Sequence, residues 1–330
     1  MAEPLSPRPS DRAVTAPVDM PTRSTADTAT VRSNRYDQSF PNFQPRDLTW
    51  RTKADHPHLR ANGPEIRMKQ TKRRTKRQAS SPGAAPAGTA LSFQGVGKTF
   101  PDGTRALREV SFTVRDTEIV AVVGPSGSGK STLLRIASGL TEASSGSVAV
   151  GSAVPGYVFQ DPTLLPWRTV EANVGLLAEL DGVAKEERRR LVADAIALTG
   201  LTGFERHRPK ALSGGMRMRV SLARALTMRP SLFLFDEPFG ALDEITRERL
   251  GDELLRLYTR ERFAGLFVTH SAAEAVLLAT RVLVLSARPG RVLAQIEVPF
   301  DYPRQGGLRF DAEFTRTARA VSEALRESFA

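Results

Sequence analysis

The 330-residue chain contains no cysteine. That absence excludes a disulfide framework, a thiol nucleophile and any cysteine-ligated zinc or iron–sulfur centre. Histidine is nearly as scarce, and four residues (His56, His58, His207, His270) give no reason to expect a histidine-rich metal centre. No run approaches the roughly 18–20 consecutive apolar residues that cross a bilayer, and the opening MAEPLSPRPSDR lacks the apolar segment of a secretion signal. The expectation is a soluble, cytoplasmic chain that can still sit on a membrane protein. What is present is ordinary for a globular protein: 40% hydrophobic and 25% charged residues, in a length that allows one large or two modest domains.

The net charge of +11 suggests nucleic acid until it is divided along the chain. Residues 1–89 hold 16 of the 47 Lys and Arg and 8 of the 36 Asp and Glu, a net of +8, which leaves only +3 for the rest. Residues 1–88 are rich in Pro, Ser, Thr, Arg and Ala without a sustained period of 2 or 3.6, so a disordered basic extension is expected there. Its basic run, Met68 to Arg77, could touch anionic lipid or nucleic acid, although a solvated tail is the plainer reading. A chain start at Met68 is a further alternative.

From Thr89 the pattern is that of a folded domain. Short strands are expected at 89-93 and 109-115, and apolar strands at Ile119 to Val123, Leu232 to Phe235, Leu266 to Val268 and Val282 to Leu285. Helical stretches near 130-139, 244-260 and 271-279 alternate with them, which predicts a parallel α/β sheet. Residues 169-200 are helical and strand-poor, as expected of a helical insertion. Phe314, Ala318, Val321 and Leu325 recur at the spacing of an amphipathic closing helix.

The apolar strand ending at Val123 runs into Gly124-Pro125-Ser126-Gly127-Ser128-Gly129-Lys130-Ser131, a match to the phosphate-binding pattern G-x-x-x-x-G-K-[ST] in its strand-to-helix context. Small residues let successive backbone N–H groups face phosphate oxygens, the helix N-terminus favours negative charge, Lys130 reaches the β- and γ-phosphates, and Ser131 offers a hydroxyl to Mg²⁺. Asp236 and Glu237 end the strand Leu232 to Phe235. If that strand neighbours the one before the loop, two carboxylates lie beside the phosphates: Asp236 to hold Mg²⁺ through water, Glu237 to polarise the attacking water. An acidic pair at a strand end is often only a helix cap, but the paired phosphate loop favours the catalytic reading.

Leu212-Ser213-Gly214-Gly215-Met216, between the loop and the acidic pair, resembles the signature of ATP-binding cassette (ABC) ATPases. In the family's order follow Gln160 within Val158-Phe159-Gln160-Asp161, Gly240-Ala241-Leu242-Asp243 after the acidic pair, and His270 in Val268-Thr269-His270. The resemblance spans roughly residues 89 to 300. It implies a P-loop cassette with a RecA-like core, an antiparallel β subdomain and a helical subdomain: an ATPase domain over 89-310, with its helical insertion at about 160-228, and a C-terminal helix over 311-330. It also implies ATP and Mg²⁺. Phe100 would stack on adenine, Gly124 to Thr132 would hold the phosphates, and Ser131, Gln160 and Asp236 would serve the metal. Glu237 would be the base, Gln160 would sense Mg²⁺ and water, and His270 would contact the γ-phosphate. Ser213, Gly214, Gly215 and Asp243 would act across a dimer of two copies. Taken singly, plainer readings remain, such as a core aromatic at Phe100 or a helix cap at Ser213.

Two positions depart from the family's pattern: Thr117 stands where a turn glycine is usual, and Met218 where Gln is frequent. The short span between Lys130 and Asp236 leaves no room for the long coiled coil of DNA-repair cassettes, and a single cassette argues against the tandem translation type. A separate ATPase subunit of an importer remains, on the cytoplasmic face of a bacterial inner membrane. Its implied partners are two transmembrane permease subunits, a second copy of itself and, indirectly, a periplasmic solute-binding protein. The Leu164-Leu165-Pro166-Trp167 stretch and Arg288-Pro289-Gly290-Arg291-Val292 resemble the nitrate, taurine and aliphatic sulfonate branch, with sulfonates favoured. Leu164, Leu165 and Trp167 are expected on a loop that cannot bury all three. A soluble nucleic-acid-associated ATPase is the alternative from another class.

Overall fold

The computed structural model describes residues 87–151 and 154–328. The expectations for the basic extension therefore lie almost wholly outside the described residues. Among the described residues nine strands and eight α-helices form two sheets and a helical layer.

The first sheet is antiparallel, with β1 (Thr89–Thr99) between β2 (Arg105–Arg115) and β4 (Ser145–Val150). The second is six-stranded, in the order β5 (Gly156–Val158), β6 (Leu232–Asp236), β7 (Ala264–Val268), β3 (Ile119–Val123), β8 (Arg281–Leu285) and β9 (Val292–Glu297). All its pairings are parallel except β8 with β9. The apolar runs read from the sequence are its four central strands. They are buried throughout because both faces of the sheet are covered.

Period-two alternation along those strands divides the interior into two cores. Ile119, Ala121 and Val123 of β3, Phe233 and Phe235 of β6, and Val282 and Val284 of β8 face one side. They pack there with helices α5 (Gly214–Leu226), α6 (Glu244–Glu261) and α7 (Ala272–Leu278). Val120, Val122, Leu232, Leu234, Leu283 and Leu285 face the other side, against α1 (Lys130–Ala137) and the antiparallel sheet. The insertion is helical as expected, with α2 (Val170–Val174), α3 (Leu176–Leu180) and α4 (Lys185–Leu198) preceding α5. The closing helix α8 (Ala312–Glu327) buries Phe314 and Val321.

One expectation is corrected. The strand before the phosphate loop and the strand bearing Asp236 are not neighbours, because β7 lies between β3 and β6 and pairs with both. The carboxylates still reach the loop because α1, which starts inside it, packs against β6 and β7.

Candidate active site

The phosphate loop folds as its residue types demand. Gly127 (φ 76°) and Gly129 (φ 93°) lie in the left-handed region, and a Cβ on Gly129 would stand 2.6 Å from Leu107 Cδ2 and 2.9 Å from the Ala106 carbonyl. Gly129 is also the N-cap of α1, so the turn passes directly into the helix whose first N–H groups have no intrahelical partners. Lys130 is 7% exposed and donates to the carbonyls of Gly124 (3.0 Å) and Pro125 (3.1 Å). Its Nζ lies 3.7 Å from Glu237 Oε1.

Ser131 Oγ donates to Asp236 Oδ1 at 2.9 Å. The other Asp236 oxygen accepts from Tyr157 on β5 at 3.2 Å, and burial together with the Asp236 charge holds the Tyr157 phenol far above its ordinary range, so it stays a donor. Tyr157, stacked on Phe159, was missed in the sequence because a three-residue strand leaves no periodicity to read.

Glu237 has a left-handed backbone (φ 44°), unusual for a residue with a side chain. Its N–H donates to Val268 O at 3.0 Å and its carbonyl accepts from Gly240 at 3.1 Å, so the turn is pinned on both sides. Its second carboxylate oxygen faces His270 Nδ1 at 3.5 Å. A Cβ at Gly240 would lie 3.6 Å from His270 Cε1 and 3.7 Å from Gln160 Nε2, which places Gln160, His270 and Glu237 round one glycine. Behind His270, Thr269 donates to Glu274 at 2.5 Å, and Glu274 pairs with Arg247 on α6 at 3.4 Å. Burial pushes the Glu274 carboxyl above its ordinary range, with the Thr269 and Arg247 contacts opposing.

The remaining candidates lie apart from this cluster. Phe100 is half-buried at the β1–β2 turn, with Lys98 Nζ 5.4 Å from its ring centroid. Ser213 and Asp243 act as N-caps of α5 and α6, accepting from Met216 at 3.2 Å and Thr246 at 2.9 Å; the cap expected as the plainer reading of Ser213 is present, and Asp243 makes one as well. Hydrogen bonds from Thr246, of its backbone N–H before its hydroxyl, keep the Asp243 carboxyl below its ordinary range. Trp167 is 68% exposed, whereas Leu164 packs on the core and Leu165 is half-buried.

Arg288-Pro289-Gly290, noted in the sequence only as a resemblance, lies directly on the phosphate loop. Arg288 Nε donates to Gly127 O at 3.2 Å, and Gly290 bonds β2 through Ala106 O and Arg108 N, both at 2.9 Å.

A strand, a glycine turn and a helix bearing lysine and hydroxyl beside an acidic pair define the class of P-loop nucleotide-binding proteins. Comparison with known proteins narrows the class. Residues 107–240 match the family model described as ABC transporter. The chain is 44% identical over 233 residues (67% of this chain, 89% of the relative) to the taurine import ATP-binding protein TauB of Burkholderia thailandensis. It is 41% identical over 248 residues (71% and 90%) to the nitrate import ATP-binding protein NrtD of Synechococcus elongatus. To an aliphatic sulfonates import ATP-binding protein of Pseudomonas savastanoi pv. phaseolicola it is 43% identical over 225 residues (68% and 90%). A bacterial ABC transporter cassette solved as a dimer superposes with a TM-score of 0.57 at 30% identity, covering 64% of this chain and all of that one. The chain belongs to the ABC transporter ATP-binding family and has its α/β P-loop cassette fold; it is an ATPase that binds ATP.

Proposed function

We propose that the protein is the ATP-hydrolysing subunit of a membrane importer for a small oxyanionic solute, with an aliphatic sulfonate favoured over taurine or nitrate. The observation that carries the catalytic part is the convergence of Lys130, Ser131, Asp236, Glu237 and His270 on the mouth of the phosphate loop. The importer part draws on relatives named for taurine, nitrate and aliphatic sulfonate import, and on the Leu164 to Trp167 and Arg288 to Val292 stretches.

In this reading Phe100 stacks on adenine, the amides of Gly124 to Thr132 hold the phosphates, and Lys130 leaves its loop carbonyls and Glu237 for the β- and γ-phosphates. The Ser131 hydroxyl, the Asp236 carboxylate and the Gln160 amide are hard oxygen donors suited to Mg²⁺, which when bound would offset phosphate charge. Among the described residues no three His, Cys, Asp or Glu side chains could hold a metal by themselves, so phosphate oxygens and water must complete its shell. Glu237 takes the proton of the attacking water, and its pinned left-handed turn holds the carboxylate between Lys130 and His270. His270 contacts the γ-phosphate. Ser213, Gly214, Gly215 and Asp243 act on the nucleotide of a second copy, and exposed Trp167 docks on a permease subunit at the cytoplasmic face of the membrane. A periplasmic binding protein delivers the solute. The nucleic-acid alternative rests on the basic run at 68–77, outside the described residues, and the named relatives lend it no support.

The test is Glu237→Gln, which removes the base and leaves the phosphate loop intact. The variant should bind ATP, lose turnover by a factor of about 100 or more, and elute as a dimer in ATP on size-exclusion chromatography. Turnover near that of the parent would refute the assignment. Lys130→Ala should instead lose nucleotide affinity, since its charge acts in the ground state as well.

A further inference from the structure

The loop that carries Trp167 is held by two buried side chains, both from the helical layer. Asn173 on α2 is fully buried. Its Oδ1 accepts from Leu165 N at 2.8 Å, and its Nδ2 donates to the carbonyls of Leu165 (3.1 Å), Arg168 (3.2 Å) and Thr169 (2.9 Å). Arg224 on α5 is 7% exposed, and its fork closes the other end of the loop. One nitrogen donates to Thr163 O at 3.1 Å, and the other to Pro162 O at 2.9 Å and Thr163 Oγ1 at 3.1 Å.

The geometry of this second clamp is specific. Thr163 has φ 47°, a costly conformation for a β-branched residue, and Arg224 bonds both its carbonyl and its hydroxyl. Burying a guanidinium costs free energy unless its N–H groups are satisfied, and carbonyls supply most of the acceptors here. Lysine keeps its donors on one nitrogen at the end of a flexible stem and lacks the rigid two-nitrogen fork that meets these oxygens. Arg224 also lies on the helix that begins at Ser213 and Gly214, about 15 Å from Gly214 at 1.5 Å per residue. A helix is stiff over that length, so displacement of its first turn displaces Pro162 and Thr163.

We propose that Arg224 is a positioning residue that ties the Trp167 loop to the signature helix α5, so that engagement of Ser213 to Gly215 with nucleotide is reported as movement of Trp167. The inference rests on the cassette reading above and adds a mechanical link to it. Arg224 acts through the loop, by its bonds to Pro162 O, Thr163 O and Thr163 Oγ1.

The chain has two tryptophans, so Trp50→Phe leaves Trp167 as the sole reporter. In full-length protein carrying Trp50→Phe and Glu237→Gln, ATP should drive dimerisation and shift the Trp167 emission and anisotropy. Adding Arg224→Met should preserve ATP-driven dimerisation and remove at least half of the Trp167 shift. Arg224→Lys, which keeps charge and most of the stem, should also lose part of it, and it decides the matter on the same readout if Arg224→Met does not fold. A full shift in a dimerising variant, or no shift in the dimerising parent, overturns the link. If ATP fails to dimerise the parent itself, the reading of Ser213 to Gly215 as acting on the nucleotide of a second copy falls first and the link with it.

Discussion

The tightest contact at the phosphate loop comes from outside it. A Cβ built on Gly290 would lie 2.0 Å from Ser128 O, 3.1 Å from Ser128 C and 3.4 Å from Leu107 Cδ2. Since real Cβ atoms essentially never come within 3.0 Å, Gly290→Ala requires a shift of about 1 Å. The obstacle is backbone, so no rotamer relieves it. Either the loop yields, or Gly290 withdraws from β2 and lengthens its bonds to Ala106 and Arg108, each worth about 1 kcal/mol. Overpacking of this kind costs about 1–3 kcal/mol, and the backbone obstacle puts Gly290→Ala near the upper value. If the loop moves, its N–H groups lose their aim at phosphate, and ATP affinity should fall tenfold or more, about 1.4 kcal/mol. Urea unfolding and ATP titration read the two costs separately. Gly307→Ala is the control: nothing lies within 4 Å of its Cβ and its φ is not left-handed, so both quantities should match the parent. Parental ATP affinity and an unchanged urea midpoint for Gly290→Ala would refute the reasoning.

Thr117 is exposed at φ 56°, where its side chain costs about 1–2 kcal/mol; the backbone freedom of glycine offsets about half of any gain, so Thr117→Gly should raise stability by up to about 1 kcal/mol in urea. A lower midpoint would show that the threonine is not strained there. Burial raises the carboxyls of both Glu253 and Glu274 above their ordinary 4.5 in the folded protein. Each therefore binds its proton more tightly when folded, and that stabilisation is full below pH 4.5 and lost as pH rises through the folded values. Glu253→Gln and Glu274→Gln should each flatten the stability–pH curve from 4.5 upward, and slopes equal to the parent's would exclude this. Trp167→Ala should change stability by less than about 0.5 kcal/mol, because the ring is exposed, yet abolish co-purification with the permease subunits; retained association would move the docking site elsewhere.

The elements of the candidate site were more legible in the sequence than the contacts that hold them. Glycines at 127 and 129 advertise a turn that only glycine makes cheaply, and the five apolar residues of β3 mark a strand buried on both faces. Strand order was invisible, because nothing in Ala264 to Val268 says that it inserts between β3 and β6. β4 was missed since Ser145 to Val150 is half polar, and β9 because its alternation lies at an edge. Arg224 and Asn173 escaped notice for a different reason. A polar residue on a helix reads as solvated until the fold shows which carbonyls it faces across 61 residues of chain, as Arg224 does with Thr163.

The insertion of β7 between β3 and β6 turns the sheet into a ruler. Adjacent strands are spaced about 4.8 Å apart, so the ends of β3 and β6 stand about 10 Å apart, with the end of β7 midway. Three successive strand ends each carry one part of the candidate site, with the phosphate loop after β3, Thr269 and His270 after β7, and Asp236 and Glu237 at β6. The gauge is set by backbone hydrogen bonds and not by side chains, so point substitutions in the core can weaken it but hardly recalibrate it. A one-residue slip of β7 would carry His270 about 3.3 Å along the strand axis and out of reach of Glu237. The placement of these side chains is therefore protected by the same ladder that holds the fold together.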